Sequence, residues 1–142
     1  MTSVTSEFDL IKRYFVKPTP RTVLGPGDDC ALLAPAAGME LAITTDMLVA
    51  GVHFLPATDP WQLGWKTLAV NLSDLAAMGA SPRWALLAGS LPDADEVWLG
   101  AFAEGLFSCA ERYGVDLVGG DTTRGPLNLC VTALGEVPVG MA

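Results

Sequence analysis

The sequence has few of the residues that build metal cages and nucleophilic triads. Its 142 residues include three cysteines and one histidine. Cys30, Cys109 and Cys130 are widely spaced, and no C-x-x-C pair occurs, which argues against a zinc site. We interpret the three as reduced, mostly buried thiols of a cytoplasmic protein, with no further role.

Basic residues and long apolar runs are scarce as well. Eight Lys and Arg stand against sixteen Asp and Glu, which gives a formal net charge of −8. Such a charge repels nucleic acids and anionic membrane surfaces, so neither is expected as a partner. No apolar run approaches the roughly 18 residues of a membrane span, and no signal-peptide core occurs, which predicts a cytoplasmic protein. If the ligand is anionic, another group must supply positive charge.

The residues that are abundant predict a well-packed core. Hydrophobic residues make up 51% of the chain and charged residues only 17%. With this length, residues 1–142 are expected to form a single domain. The hydrophobic periodicity predicts the order α-β-β-α-β-α-β-β, an α+β fold with helices on one face of a mixed sheet. No helix remains for the other face, so a second subunit or domain is expected to cover it.

Local signals set the expected element boundaries. Ser6 caps a short first helix, with Glu7 and Asp9 in its first turn, and Pro18 and Pro20 end it. Asp59-Pro60 and the acidic residues from Asp93 begin two longer helices, and Gly79 ends the first of them. Strands are expected at residues 30–34, 40–46, 84–91, 115–120 and 127–137, with turns at 35–38 and 121–126.

Acidic residues recur where elements give way to loops or polar turns. They are Asp28-Asp29, Asp46, Asp74 and Asp121. Each has an ordinary explanation, because aspartate is a common turn residue. However, Asp46 ends a predicted strand with Thr44 on the same face, and Asp74 lies inside a helix, where aspartate has poor propensity. Carboxylates with a few hydroxyls are the ligands of Mg²⁺, Ca²⁺ or Mn²⁺, so together these residues predict a metal-mediated nucleotide site. No Walker A sequence is present.

Three other polar residues are ambiguous from the sequence. His53 lies between apolar residues, and the residues alone favour a partly packed ring with one satisfied nitrogen over a ligand role. Lys66 is most simply a solvated helix residue. Arg124 either binds phosphate through its guanidinium or is exposed. The role of Asp28 is also left open.

Six motifs follow one another along nearly the whole chain. They are EFDLI from residue 7, GDDCA from 27, TTDMLV from 44, GVHF from 51, NLSDLAAMGA from 71 and GGDTTRG from 119. In this order they resemble the thiamine-monophosphate kinases, within the larger family of aminoimidazole ribonucleotide synthetase-like ATP enzymes. The Asp74 helix and the Gly-Gly-Asp turn resemble the wider family, whereas the GVHF and TTDM segments point to the thiamine kinase branch.

The resemblance implies ATP-dependent phosphorylation of thiamine monophosphate to thiamine diphosphate by direct transfer between phosphates. It implies that His53 contacts the thiamine substrate and that Gly120 with Asp121 contacts the ATP phosphates. Positioning and metal electrostatics would carry the reaction without a catalytic base. The residues implied as ligands of several Mg²⁺ ions are Asp29, Thr44, Thr45, Asp46, Asp74 and Asp121.

The resemblance also implies partners. Family members are homodimers whose amino-terminal sheets pair into a barrel, and they carry a second α/β domain. Residues 1–142 would then be the amino-terminal half, which binds Mg²⁺ and ATP phosphates and dimerises, and which is inactive without the carboxy-terminal domain. Two alternatives stay open: a related ATP enzyme of the purine pathway or of hydrogenase maturation, and a non-catalytic dimerisation module.

Overall fold

The computed structural model describes residues 14–93 and 95–142. The predicted start of the first helix, at Ser6, Glu7 and Asp9, lies outside these residues. Tyr14 and Phe15 are helical, and the chain is no longer helical when it reaches Pro18, as the sequence predicts.

The described residues form one four-stranded mixed sheet and two long helices. The strands are β1 (Met39–Val49), β2 (Ser81–Leu91), β3 (Asp116–Arg124) and β4 (Asn128–Pro138), and the helices are α1 (Pro60–Ala77) and α2 (Glu96–Tyr113). The strand order is β1-β4-β2-β3. Strands β2 and β3 are parallel and are connected through α2, whereas β4 pairs antiparallel with both β1 and β2. The predicted α+β class is therefore confirmed.

Both helices begin at aspartate caps. The Asp59 carboxylate accepts a hydrogen bond from the Gln62 amide at 2.9 Å, with proline in the first turn. The Asp95 carboxylate accepts from the amides of Val97 and Trp98. These side chains satisfy amides that have no partner within the helix. The predicted start at Asp59-Pro60 is confirmed, and α2 begins within the acidic run that starts at Asp93.

The core lies between the helices and one face of the sheet. Helices α1 and α2 approach so closely that a Cβ on Gly64 would lie 2.0 Å from the Phe102 carbonyl oxygen, and one on Gly105 would lie 1.9 Å from the Trp61 carbonyl oxygen. Leu68, Leu75, Phe102, Leu106, Cys109 and Val131 are among the side chains that this packing buries almost completely.

The opposite face of the sheet is covered unevenly. Along β1, the side chains of Leu41, Ile43 and Met47 are 42%, 63% and 54% exposed. Farther from β1, the two ends of segment 21–36 are hydrogen-bonded to side chains of β2, β3 and β4. Among residues 14–93 and 95–142, the helices therefore leave this face exposed along β1, as the sequence predicts.

Three local expectations were wrong. Residues 30–34 form no strand of the sheet, because they pair only locally, through an isolated bridge between Leu32 and Leu24 that does not extend into a ladder. Strand β1 continues past Asp46 to Val49. Strand β3 continues to Arg124, which reduces the predicted 121–126 turn to residues 125–127. In each strand, pairing with a distant neighbour extends an element that local composition alone would end.

The three cysteines lie in different surroundings. Cys109 is buried and Cys130 half-buried, but Cys30 is exposed, so the expectation of mostly buried thiols was wrong for the loop cysteine. Within the part of the chain that the structure describes, no helix has both the length and the apolar character required to span a membrane.

Candidate metal and phosphate site

The site is built around a pair of facing carboxylates. Asp46 lies on the helix-facing side of β1, and Asp74 lies in the last turn of α1, with their side chains within hydrogen-bonding reach. Desolvation raises the pKa of Asp46 above its ordinary value, and the hydrogen bond and charge of Asp74 raise it further, while His53 lowers it. Each carboxylate disfavours the ionised form of the other, and a cation between them would relieve that repulsion.

His53 lies in a tight turn that follows β1. The His53 and Val52 amides donate to the Val49 carbonyl oxygen, and the Gly51 amide donates to the Phe54 carbonyl oxygen at 2.7 Å. The His53 Nδ1 atom accepts from the Val49 amide at 2.9 Å. This geometry assigns the ring proton to Nε2, so the exposed imidazole presents a donor to solvent. The expectation of one satisfied nitrogen holds, but the ring is exposed rather than packed.

Lys66 is exposed on α1, as the sequence predicts, but it also contacts the same turn. Its Nζ atom donates to the His53 carbonyl oxygen at 3.1 Å. Buried Phe54 anchors the end of the turn in the core.

Gly120 and Asp121 lie on β3, which is at the opposite edge of the sheet from β1. The cross-strand register aligns Asp46 with Val131, Leu87 and Gly120 in turn, which separates Asp46 from Gly120 by three strand spacings, or about 14 Å. Gly120 has a φ of 151°, and a Cβ there would lie 1.8 Å from the Leu87 carbonyl oxygen, so strand packing alone requires glycine. Asp121 is exposed and opposite Ala88.

The remaining predicted ligands are in different surroundings. Thr44 shares the helix-facing side of β1 with Asp46, as the alternation predicts. Thr45 points to the other face, where its hydroxyl lies 3.0 Å from the Thr132 hydroxyl and donates to the Val131 carbonyl oxygen at 3.2 Å. Asp29 lies in an exposed loop, and its amide donates to the Asp28 carboxylate at 2.8 Å.

The described chain therefore brings together only some of the six predicted metal ligands. Among residues 14–93 and 95–142, no group of three or more His, Cys, Asp and Glu side chains is arranged to hold a metal ion. Asp46 and Asp74 meet, whereas Asp121 lies on β3, at the opposite edge of the sheet from β1, and Asp29 lies in the exposed loop. The donors are all oxygen atoms of carboxylates and hydroxyls, which suits Mg²⁺ in chemical type.

Two carboxylates that the sequence analysis did not single out are buried in the sheet. Asp116 and Glu136 are 3% and 7% exposed, and each forms an ion pair with an arginine. The signal for both was a charged residue inside an apolar strand, since Asp116 lies between Val115 and Leu117 and Glu136 precedes Val137.

Comparison with known proteins identifies the family. The model of the AIR synthase related protein, N-terminal domain, matches residues 27–137. The chain belongs to this family. It is similar to the thiamine-monophosphate kinase of Escherichia coli K12, with 56% identity over 139 residues that cover 96% of the chain and 43% of that relative. The resemblance to thiamine-monophosphate kinases that the motifs indicated is thus confirmed.

Solved structures of family members have the same fold. A thiamine-monophosphate kinase from Stenotrophomonas maltophilia superposes with a TM-score of 0.80 at 56% identity, covering 85% of this chain and 38% of that one. The structure described as AaThiL complexed with AMPPCP and TMP gives a TM-score of 0.70 at 32% identity, covering 92% of this chain and 41% of that one. The chain spans less than half the length of the relatives it matches.

Proposed function

We propose that this chain is the amino-terminal half of a thiamine-monophosphate kinase, which transfers a phosphoryl group from ATP to thiamine monophosphate in the presence of Mg²⁺. The observation that carries the proposal is the facing pair Asp46 and Asp74, in a chain 56% identical to a thiamine-monophosphate kinase. A family relative in complex with AMPPCP and TMP supports ATP and thiamine monophosphate as the substrates.

The proposed ligands of Mg²⁺ are Asp29, Thr44, Thr45, Asp46, Asp74 and Asp121. When bound, Mg²⁺ neutralises phosphate charge and so allows two anionic substrates to approach in a chain whose net charge is −8. Asp46 and Asp74 repel each other without a cation, and that repulsion is relieved by metal binding. No strong base is required, because a phosphate monoester oxygen is already anionic at neutral pH.

His53, Gly120 and Asp121 complete the proposed site. The Val49 amide fixes the His53 ring, which leaves Nε2 as a hydrogen-bond donor for the thiamine substrate. Gly120 with Asp121 is proposed to contact the ATP phosphates. Roles for Asp28 and Arg124 are not assigned.

The protein is further proposed to be a cytoplasmic homodimer whose sheets pair into a barrel, with a carboxy-terminal domain that supplies the other ligands. Two observations support this. The β1 side of the sheet exposes Leu41, Ile43 and Met47, which is an apolar surface suited to a second copy. The separation of about 14 Å between the strand positions of Asp46 and Gly120 also favours a site completed outside this domain.

The test is an assay of the two-domain protein with ATP, Mg²⁺ and thiamine monophosphate. We expect thiamine diphosphate to form, and we expect Asp46→Asn and Asp74→Asn each to lower kcat/KM by about a hundredfold or more, as loss of a charged active-site group does. Asp95→Asn is the matched control, because asparagine caps a helix as well as aspartate. Turnover of a purine precursor instead, or no turnover with either substrate, would contradict the proposal.

A further inference from the structure

The two buried carboxylates bind opposite ends of the same segment. Among the described residues, Asp116 and Glu136 are the only charged side chains that are buried. Both accept hydrogen bonds from residues 21–36, which we call the strap. The strap contains the acidic loop (residues 25–31), which carries Asp28 and Asp29.

Asp116 fixes the beginning of the strap. One carboxylate oxygen accepts from the Arg21 amide and from the Thr22 hydroxyl, both at 2.7 Å. The other oxygen accepts from the Arg21 guanidinium at 3.0 Å. The indole of buried Trp84 donates to the Arg21 carbonyl oxygen at 3.0 Å. Four hydrogen bonds therefore attach residues 21 and 22 to β2 and β3.

Glu136 fixes the end of the strap. One of its carboxylate oxygens accepts from the Ala36 amide at 2.8 Å, and the other lies 3.3 Å from the Arg83 guanidinium. Charge-assisted hydrogen bonds are about twice as strong as neutral ones, and a buried carboxylate is stable only when donors satisfy it. Asp116 meets this condition through Arg21 and Thr22 of the strap, and Glu136 through Ala36 of the strap and Arg83 of β2.

The acidic loop between these two attachments has little support of its own. The Val23 and Leu24 amides donate to the Leu32 carbonyl oxygen at 3.0 and 3.1 Å, and the Leu32 amide donates back to Leu24 at 2.9 Å. Asp28 and Asp29 are exposed beyond this bridge. A single bridge of this kind is marginally stable in water, so the position of the loop depends on how the strap is attached.

We propose that Asp116 and Glu136 are positioning residues, which fix the strap on the sheet and thereby hold Asp29 in place to bind a divalent cation. This inference rests on the proposed function, in which Asp29 is a metal ligand. A ligand that is already ordered in the metal-free protein does not have to be ordered on binding, so the ion binds more tightly. Loosening either attachment should therefore weaken Mg²⁺ binding without removing any ligand.

The test compares Thr22→Val with Thr22→Ser in the two-domain protein. Valine preserves the shape of threonine but removes the hydroxyl that donates to Asp116, whereas serine retains the donor. For Thr22→Val we expect the half-saturating Mg²⁺ concentration to rise at least about threefold, with kcat at saturating Mg²⁺ unchanged. Hydrogen exchange at the Val23, Leu24 and Leu32 amides should accelerate by a similar factor. Thr22→Ser should behave as the wild type.

Calorimetric titration of the same proteins with Mg²⁺ separates this inference from the proposed function. Weaker Mg²⁺ binding by Thr22→Val than by Thr22→Ser supports the positioning role even if thiamine monophosphate is not the substrate. Equal binding by the two variants, with faster exchange in Thr22→Val alone, would show that the attachment is only structural. Failure of the wild type to bind Mg²⁺ would also overturn the inference.

Discussion

Two pairs of carboxylates in this domain have opposite surroundings. Asp116 and Glu136 are almost completely buried, yet amide, hydroxyl and guanidinium donors surround them. Asp46 and Asp74 are more exposed, yet they face each other, and desolvation together with Asp74 raises the pKa of Asp46. The more buried pair is therefore the one whose oxygen atoms have more hydrogen-bond donors and charge partners.

This contrast separates a structural carboxylate from a candidate functional one. A buried carboxylate with several donors is compensated and stabilises the fold around it. Two carboxylates that repel each other destabilise the metal-free protein, and a cation removes that penalty. The proximity of like charges is therefore a better indication of a metal site here than burial is.

The largest expected effect comes from removing the buried acid at the start of the strap. Asp116→Ala removes the acceptor of three hydrogen bonds, two of them from Arg21, and should lower the free energy of unfolding by about 3 kcal/mol. Urea unfolding of the domain at pH 7 measures this loss of stability. The exposed Asp93→Ala is the control and should change stability by no more than about 0.5 kcal/mol. Equal losses of stability from the two substitutions would contradict a structural role for the buried Asp116.

A smaller loss is expected at the other end of the strap. Glu136→Gln keeps one acceptor oxygen but removes the charge that pairs with Arg83, whose side chain is 39% exposed. We expect a loss of about 1.5 kcal/mol, with faster hydrogen exchange at the Ala36 amide. Glu104→Gln, at an exposed position of α2, is the matched control. If Glu136→Gln leaves the stability unchanged, other contacts hold Ala36 in place.

The sequence predicted the features that depend on neighbouring residues. Asp59 was recognisable as a helix cap because a cap binds amides two or three residues away. The acidic residues from Asp93 indicated the start of α2, although not which of them caps it. The poor helix propensity of Asp74 and the alternation that places Thr44 with Asp46 are also local signals.

Features that depend on distant residues were missed or wrong. The partners of Asp116 and Glu136 lie 95 and 100 residues earlier in the chain, so no local pattern connects them. Residues 30–34 have the composition of a strand but pair only locally, through an isolated bridge. The distance between Asp46 and Gly120 follows from the strand order, which places β4 and β2 between them.

Cys109 extends the comparison to a buried acid that receives no hydrogen bond from the part of the chain that the structure describes. Burial raises the pKa of its thiol from the ordinary 9.0 to about 11. Because the raised pKa belongs to the folded state, the unfolded chain loses this proton first, and stability falls as pH rises from about 9 to 11. We expect this thiol to account for about 1 kcal/mol of the loss at pH 10.

Urea unfolding between pH 8 and 11 measures this loss, and Cys109→Ala is the control. The variant is less stable throughout because it leaves a small cavity, but its stability should fall less steeply with pH. Parallel slopes for the two proteins would show that other groups cause the alkaline loss.

The smallest expected effect has the opposite sign and provides the sharpest test. Asp46→Asn removes the like-charge repulsion with Asp74 and should stabilise the metal-free domain by about 0.5 kcal/mol at pH 7, because exposed charge pairs interact weakly. The sign follows from the raised pKa of Asp46. The stabilisation that protonated Asp46 contributes is complete below its ordinary pKa of 3.8, and it is lost as pH rises through the pKa of the folded state. The gain in the variant should therefore disappear near pH 3.

Mg²⁺ should reverse the order of stability of the two proteins. A cation that binds only the folded state raises stability in proportion to the logarithm of its concentration above Kd, so Mg²⁺ should raise the Tm of the wild type but not that of Asp46→Asn. Thermal unfolding in EDTA and in Mg²⁺, with the exposed Asp93→Asn as the acidic control, measures both effects. If the wild type is the more stable protein in EDTA, or if Mg²⁺ stabilises both equally, Asp46 and Asp74 are not a strained pair that a metal relieves. If the order reverses, the same repulsion that weakens the empty domain is what makes it bind the ion.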